Sequence, residues 1–146
     1  MGLGNYNTEY NGIRLVTAQG RVKPMQTMPI GSVLVVDDDE GFRVSLAKVL
    51  EREGYRVSVS ASADEVIEIL TRSRVDVMVI DYSLPHKDGL TVARESIRRI
   101  PGLKVILITP FGDGIDKPED EADKSIVRAS KPLRRDDVIE MIRAVS

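Results

Sequence analysis

Short apolar runs alternate with helix-type patterns along most of this chain, and that alternation restricts the possible folds more than any other feature. The runs are nearly continuous in apolar residues, which is typical of parallel strands buried on both faces. Between them, apolar residues recur every three or four positions, which indicates amphipathic helices. Joined by right-handed crossovers, such units predict an α/β fold, a doubly wound parallel sheet of five strands. The five runs are Ser32 to Val36, Tyr55 to Val59, Val75 to Ile80, Lys104 to Ile108 and Ser125 to Ala129.

Residues that commonly start or stop a helix mark the helix ends. The first helical pattern stops at Gly54, because glycine readily adopts the left-handed conformation that follows a helix. Ser62 to Glu65 has the spacing of a capping box and predicts the start of the second helix. The third pattern ends at Pro101-Gly102. The apolar face of the last helix is formed by Val138, Met141, Ile142 and Val145.

The segment between the fourth and fifth strands, residues 111–124, lacks a clear helical pattern. It contains two glycines, a proline at position 118, and only Ile115 and Ala122 as regularly placed apolar residues. Glycine and proline both disfavour a helix interior. We therefore expect the fourth helix to be degenerate or loop-like, with at most one turn that begins at Pro118. We expect the acidic run Glu119 to Asp123 to be a solvated face.

The first 31 residues differ from the rest of the chain in charge and texture. They hold one acid and three bases, a net charge of +2, whereas residues 32–146 hold 22 acids and 18 bases, a net of −4. Only Ile13 to Val16 and Arg21-Val22 suit a short strand pair. We expect residues 1–31 to be a poorly ordered leader or linker and residues 32–146 to be one folded domain. An alternative is that Met25 or Met28 is the natural start.

Composition excludes several kinds of site. The chain has no cysteine, which excludes disulfides, thiolate zinc sites and cysteine nucleophiles, and its single histidine, His86, makes a Ser-His-Asp triad hard to build. The net charge of −2 gives no general attraction for nucleic acid or anionic membranes. No apolar run approaches the roughly 18–20 residues that cross a bilayer. We expect a cytoplasmic domain whose chemistry relies on acidic residues.

Polar residues directly follow four of the expected strands. Asp37, Asp38 and Asp39 follow the first strand, Asp81 the third, Thr109 the fourth, and Lys131 the fifth. Carboxyl ends of parallel strands meet at one edge of the sheet, so these groups should gather there. Crowded carboxylates repel one another and call for a cation, and few oxygen ligands with open positions suit Mg²⁺. With a lysine and a hydroxyl nearby, such a site can accept a phosphoryl group on an aspartate.

Taken together, four blocks of sequence resemble the receiver domain of bacterial response regulators in order and spacing. The blocks are Val33 to Asp38, Asp81 to Leu90, Ile108-Thr109 and Lys131-Pro132. The resemblance implies a flavodoxin-like fold with strand order 2-1-3-4-5. It also implies a phosphorelay partner, either a sensor histidine kinase or a phosphotransfer protein, and an unknown downstream protein target or output domain. It implies no direct binding of nucleic acid. A receiver of this kind is not an enzyme, although it catalyses its own phosphorylation and dephosphorylation. Many receivers pair on activation, and the resemblance leaves a homodimer open for this chain.

The same resemblance assigns roles to individual residues. Asp81 is implied as the phosphoacceptor, with Mg²⁺ held by Asp38, Asp81 and the carbonyl of Ser83, and with Asp37 reaching the metal through water. Lys131 is implied to bind the phosphoryl group, and Thr109 to be the switch hydroxyl. Asp39, by contrast, is expected to cap the first helix.

Two positions depart from the family's usual pattern. Arg128 stands three residues before the lysine, where the family commonly has Phe or Tyr, and its guanidinium is not expected to bury as a ring does. Pro110 follows the threonine, where the family prefers a small residue, and proline lacks a backbone N–H. Our hypothesis is a receiver that binds Mg²⁺ and accepts phosphate, but whose output does not pass through a threonine–aromatic switch.

Two alternatives stay open on the sequence alone. The first is a pseudo-receiver, an interaction module without phosphate turnover, which Pro110 and Arg128 favour. The second is a phosphohydrolase of the haloacid-dehalogenase type, because Asp37-Asp38-Asp39 also fits an Asp-x-Asp motif after the first strand. Gly41 replaces the Thr or Val expected there, and that interpretation leaves Asp81 and Lys131 unexplained.

Overall fold

The structure, a computed structural model, describes residues 30–110 and 121–145 together with three short strands nearer the N-terminus. These strands are Tyr6–Asn7 (β1), Arg14–Val16 (β2) and Val22–Pro24 (β3), and they form an antiparallel sheet in the order β1-β2-β3. The pairing of β2 with β3 involves the two segments that suit a strand pair in the sequence. The assignment of residues 1–31 as a leader stays a prediction.

The main sheet has five strands, all of them parallel. In space they are ordered β5-β4-β6-β7-β8, which confirms the predicted order 2-1-3-4-5. The observed bounds lie within two residues of the apolar runs in the sequence. The strands are Ser32–Val36 (β4), Arg56–Ser60 (β5), Val77–Asp81 (β6), Lys104–Thr109 (β7) and Ile126–Ser130 (β8).

Within the described residues, four α-helices pack on this sheet: Glu40–Arg52 (α1), Val66–Arg72 (α2), Gly89–Arg99 (α3) and Arg135–Val145 (α4). Gly54 follows α1 with a φ of 101°, the left-handed conformation expected there. The predicted capping box at Ser62 is wrong in detail. The Ser62 side chain caps nothing, and the short 3₁₀ helix Ala63–Glu65 (η1) precedes α2.

Between β7 and β8 the described part of the chain holds no α-helix, only the 3₁₀ helix Glu121–Ser125 (η2). The described end of this segment agrees with the expected degenerate fourth helix, while residues 111–120, with the turn expected at Pro118, lie outside the described residues. The expectation that the acidic run is solvated is wrong for Asp123. Its carboxylate is buried because Arg94 pairs with it.

Alternate residues of the strands serve two separate apolar layers. Leu34 and Val36 point toward the layer that contains α2 and α3, whereas Val33 and Val35 join the layer that contains α1 and α4. Both faces of the sheet are therefore covered, as continuous apolar strands require. The open part of the sheet is its carboxyl edge, where β4 and β6 end next to one another. None of the described helices is both long and apolar enough to cross a bilayer.

Candidate functional site

Three carboxylates from two strands meet at the carboxyl edge of the main sheet. Asp37 and Asp38 follow β4, Asp81 is the last residue of β6, and one oxygen of each lies within 4.8 Å of the others. Asp37 and Asp81 are buried, and Asp38 is exposed. The structure thus brings together the acidic residues that the sequence placed at the ends of these two strands.

The loop that carries Asp37 is fixed by hydrogen bonds on both sides of that residue. The Asp37 amide donates to the Ser60 carbonyl at 3.1 Å, and the Asp37 carboxylate accepts from the Asp39 amide at 2.9 Å. Arg43, one turn into α1, donates from Nη1 to the Asp37 carbonyl at 2.8 Å. Asp39 caps α1 by accepting from the amide of Phe42, which confirms its expected role.

Asp81 is held by its own loop and faces Lys131, the residue that follows β8. The Ser83 amide donates to Oδ1 of Asp81 at 3.3 Å. The Nζ of Lys131 lies 3.4 Å from Oδ1 and 3.5 Å from Oδ2 of the same carboxylate. The Lys131 amide donates to the Thr109 carbonyl, and the Lys131-Pro132 peptide bond is cis. One ammonium group therefore stands opposite three carboxylates.

Burial and like charges make Asp37 hard to ionise. The pKa of Asp37 is raised from 3.8 to about 6, mainly because burial removes water from the charged form, and the charges of Asp81 and Asp38 add to the rise. The Asp39 amide and Lys131 oppose it. A cation at this edge would favour the ionised carboxyl group. The cluster offers oxygen donors only and is open to solvent on the Asp38 side, so it fits Mg²⁺ binding.

A cleft of about 870 Å³ opens over these residues. The three acids, Ser83 and Lys131 line it, so the structure gathers five of the six residues singled out for this site. Thr109 is buried at the end of β7, and its neighbours Ile108 and Pro110 line the cleft in its place. The role of Thr109 as a switch hydroxyl stays a prediction.

Comparison with known proteins identifies the family. The sequence-family model of the response regulator receiver domain matches residues 33–143 of this chain. These residues include nearly all of the main sheet and its four described helices. The chain belongs to the receiver domain family. Receiver domains are phosphoacceptor modules of two-component systems rather than conventional enzymes, and they interact with histidine kinases or phosphotransfer proteins. This receiver domain is accordingly a phosphoacceptor of two-component signalling, and the comparisons support neither the pseudo-receiver nor the phosphohydrolase interpretation.

Curated relatives differ in how much of their length this receiver domain spans. It is 38% identical to the transcriptional regulatory protein AfsQ1 of Streptomyces coelicolor over 117 residues, which are 78% of this chain and only 50% of AfsQ1. It is 25% identical to sporulation initiation phosphotransferase F of Bacillus subtilis over 111 residues, 76% of this chain and 90% of that protein. The chain thus spans half the length of one relative and most of the other.

Solved structures show the same fold. A CheY-like receiver domain protein from Methanospirillum hungatei is 25% identical with a TM-score of 0.66, over 78% of this chain and 91% of that one. The response regulator TrrA from Thermotoga maritima, solved in complex with Mg(2+)-BeF, is 24% identical with a TM-score of 0.67, over 80% of this chain and all of TrrA.

The two departures from the family pattern lie on or next to the strands that border the site. Arg128 pairs with Leu107 in the register of β7 with β8, and its Nε and Nη2 atoms are buried without a hydrogen-bond partner. The expectation that this guanidinium would not bury is therefore wrong for these two atoms. Sequence reasoning also missed the pairing of Asp123 with Arg94, since the two are 29 residues apart and Asp123 stands in an acidic run.

Proposed function

We propose that Asp81 of this receiver domain accepts the phosphoryl group. The observation that carries the proposal is the meeting of three carboxylates within 4.8 Å, with the Lys131 ammonium group 3.4 Å from Asp81. Asp81 is the one of the three that both lines the cleft from β6 and contacts the lysine. Oδ1 of Asp81 also accepts a hydrogen bond from the Ser83 amide at 3.3 Å, so the carboxylate is held in one orientation.

In the proposed reaction, a carboxylate oxygen of Asp81 attacks the phosphorus of the donor. The new bond joins that oxygen to phosphorus, and the bond between phosphorus and the donor's leaving atom breaks, with its electron pair staying on the leaving group. Lys131 offsets negative charge on the phosphoryl oxygens, and Thr109 moves its hydroxyl toward them. Asp38, Asp81 and the Ser83 carbonyl would hold Mg²⁺, with Asp37 reaching it through water, and the ion would neutralise charge on the transferred group when bound.

The finer organisation of the protein belongs to the same proposal. Residues 32–146 form the phosphorylated unit, and residues 1–31 act as a leader or linker. The phosphodonor is a sensor histidine kinase or a phosphotransfer protein. Cytoplasmic location fits such a donor. A downstream protein or an output domain would respond to the phosphorylated state of the domain.

Intact-mass spectrometry tests the choice of Asp81. The protein is incubated with Mg²⁺ and acetyl phosphate, and the expected result is an added mass of one phosphoryl group that is lost on mild alkaline hydrolysis. Asp81→Asn should abolish the addition, whereas Asp39→Asn, in the same cleft, should retain it. Phosphate on Asp37 would overturn the assignment, as would an unmodified wild-type protein that still binds Mg²⁺.

A further inference from the structure

The first residue of α3 is packed directly against the backbone of Asp81. The Gly89 amide donates to the Tyr82 carbonyl at 2.8 Å. A Cβ atom at Gly89 would lie 2.2 Å from the Asp81 carbonyl oxygen and 3.0 Å from the Cα of Tyr82. No side chain fits between the two backbones. A movement at the end of β6 should therefore move the start of α3 with it.

The middle of α3 is tied to η2 by a buried ion pair. Arg94 donates from Nε and Nη2 to the two carboxylate oxygens of Asp123, at 2.8 and 3.0 Å. The side chain of Asp123 is fully buried and that of Arg94 is 16% exposed. η2 continues into β8 with no intervening residue. The pair therefore joins the helix that abuts Asp81 to the strand at the edge of the sheet.

This ion pair differs from the others on α3 in stiffness. Two parallel hydrogen bonds fix both the distance and the angle between the groups. Breaking them would take two charge-assisted hydrogen bonds from a buried carboxylate, which is unfavourable. By contrast, the Lys87–Glu95 and Arg99–Glu95 pairs are partly exposed and can reorient in solvent. A displacement of α3 is thus passed to η2 rather than absorbed at this contact.

We propose that the state of the Asp81 site is transmitted to η2 and to the start of β8 through α3, by way of the Gly89 contact and the Arg94–Asp123 ion pair. The inference rests on the proposed function of Asp81 and adds a route for its regulation. Ile126, the first residue of β8, pairs with Val105 near the amino end of β7. It is therefore at the opposite end of the strand from Lys131, which contacts Asp81 directly.

Amide NMR spectra with Mg²⁺, recorded with and without beryllofluoride as a phosphoryl mimic, test this route. In the wild-type protein we expect shifts at Ser83, next to the site, and at Ala122 and Ile126, which are remote from it. In Arg94→Gln the Ser83 shift should persist, while the Ala122 and Ile126 shifts should fall to less than half. Arg72→Gln, which removes an exposed ion pair with Glu68 on α2, is the matched control and should leave all three unchanged.

Two outcomes contradict the route while leaving Asp81 as the acceptor. One is an unchanged response of Ala122 and Ile126 in Arg94→Gln, and the other is a wild-type response confined to the neighbourhood of Ser83. The double variant Arg94→Gln/Asp123→Asn removes both charges of the pair, so it carries the test if the single variant unfolds. A wild-type protein without any beryllofluoride response at Ser83 would instead overturn the proposed function, and the route with it.

Discussion

At the scale of single residues, Asp37 lowers the stability of the metal-free domain at neutral pH. Its carboxyl group has a pKa of about 6 when folded, against 3.8 as the ordinary value, because burial penalises the charged form. Between these two values the folded state binds more protons than the unfolded state, so the free energy of unfolding should fall as pH rises from about 4 to about 7. The pKa shift is about 2 units, and at about 1.4 kcal/mol per unit the total loss approaches 3 kcal/mol.

Urea denaturation in EDTA between pH 4.5 and pH 8 measures this effect. Asp37→Asn removes the titrating group, so the variant should be more stable than the wild type at pH 7.5, and the difference should disappear toward pH 4.5. Asp38→Asn is the comparison: it keeps the Asp37 carboxyl group and removes only the smallest of the causes that raise its pKa, so most of the pH dependence should remain. If the difference in the free energy of unfolding between the wild type and Asp37→Asn does not vary with pH, the assignment of the raised pKa to Asp37 is contradicted.

Arg128 is a second residue that costs stability. Its Nε and Nη2 atoms have lost water without gaining a hydrogen bond. Arg128→Leu should therefore raise the free energy of unfolding, by about 2 kcal/mol, because a buried unsatisfied donor is removed. Arg56→Leu, an exposed position on the opposite edge strand β5, should change it by less than about 0.5 kcal/mol. Thermal and urea unfolding report both values, and a destabilised Arg128→Leu would show that the guanidinium is paired in solution.

The sequence identifies residues well where chemistry and position coincide. Each of Asp37, Asp38, Asp81 and Lys131 lies within two residues of the end of an apolar run, so the parallel topology alone brings them to one edge. The buried state of Asp123 could not be inferred in the same way. It depends on a partner in a different helix, and nothing local to the acidic run distinguishes that carboxylate from its solvated neighbours.

At the scale of elements, Asp39 belongs to α1 rather than to the metal site. Its side chain accepts from the Phe42 amide at 3.2 Å, which satisfies one of the free N–H groups at the start of the helix. Asp39→Ala should lower the free energy of unfolding by about 1 kcal/mol and leave Mg²⁺ affinity within twofold of the wild type. Asp38→Ala should do the reverse, with little loss of stability and a large loss of Mg²⁺ affinity. Urea denaturation and isothermal titration of Mg²⁺ separate the two; equal loss of Mg²⁺ affinity in both would show that Asp39 also acts at the cation.

Element type is easier to infer from this sequence than element boundaries. The five strands are predicted because their apolar runs reflect burial on both faces, which only a covered parallel sheet provides. The start of α2 is misjudged because Ser62 does not cap it. The hydroxyl of Ser60 accepts from the Ser62 amide, and a turn of 3₁₀ helix intervenes. That competition between nearby serines cannot be decided from spacing alone.

At the scale of the whole molecule, the three carboxylates lie at one edge of the sheet, and the two apolar layers pack the strands that carry them. Val35 and Val79 lie in adjacent strands, two residues before Asp37 and Asp81, in the layer that also packs α1 and α4. The acids are therefore anchored by neighbouring strands of a packed sheet rather than by mobile loops. Asp37 and Asp81, both buried, therefore stay close together in the folded state.

Mg²⁺ should therefore stabilise the whole domain and not only the site. The unfolded chain does not gather the three carboxylates, so a cation that binds them favours the folded state by mass action. At a free Mg²⁺ concentration 100 times its dissociation constant, the free energy of unfolding should rise by about 2.7 kcal/mol. The gain should shrink below pH 6, because protonated Asp37 no longer supports the cation. Thermal unfolding in Mg²⁺, compared with NaCl at equal ionic strength, measures it; an equal gain in Asp38→Ala/Asp81→Asn would place the bound ion elsewhere.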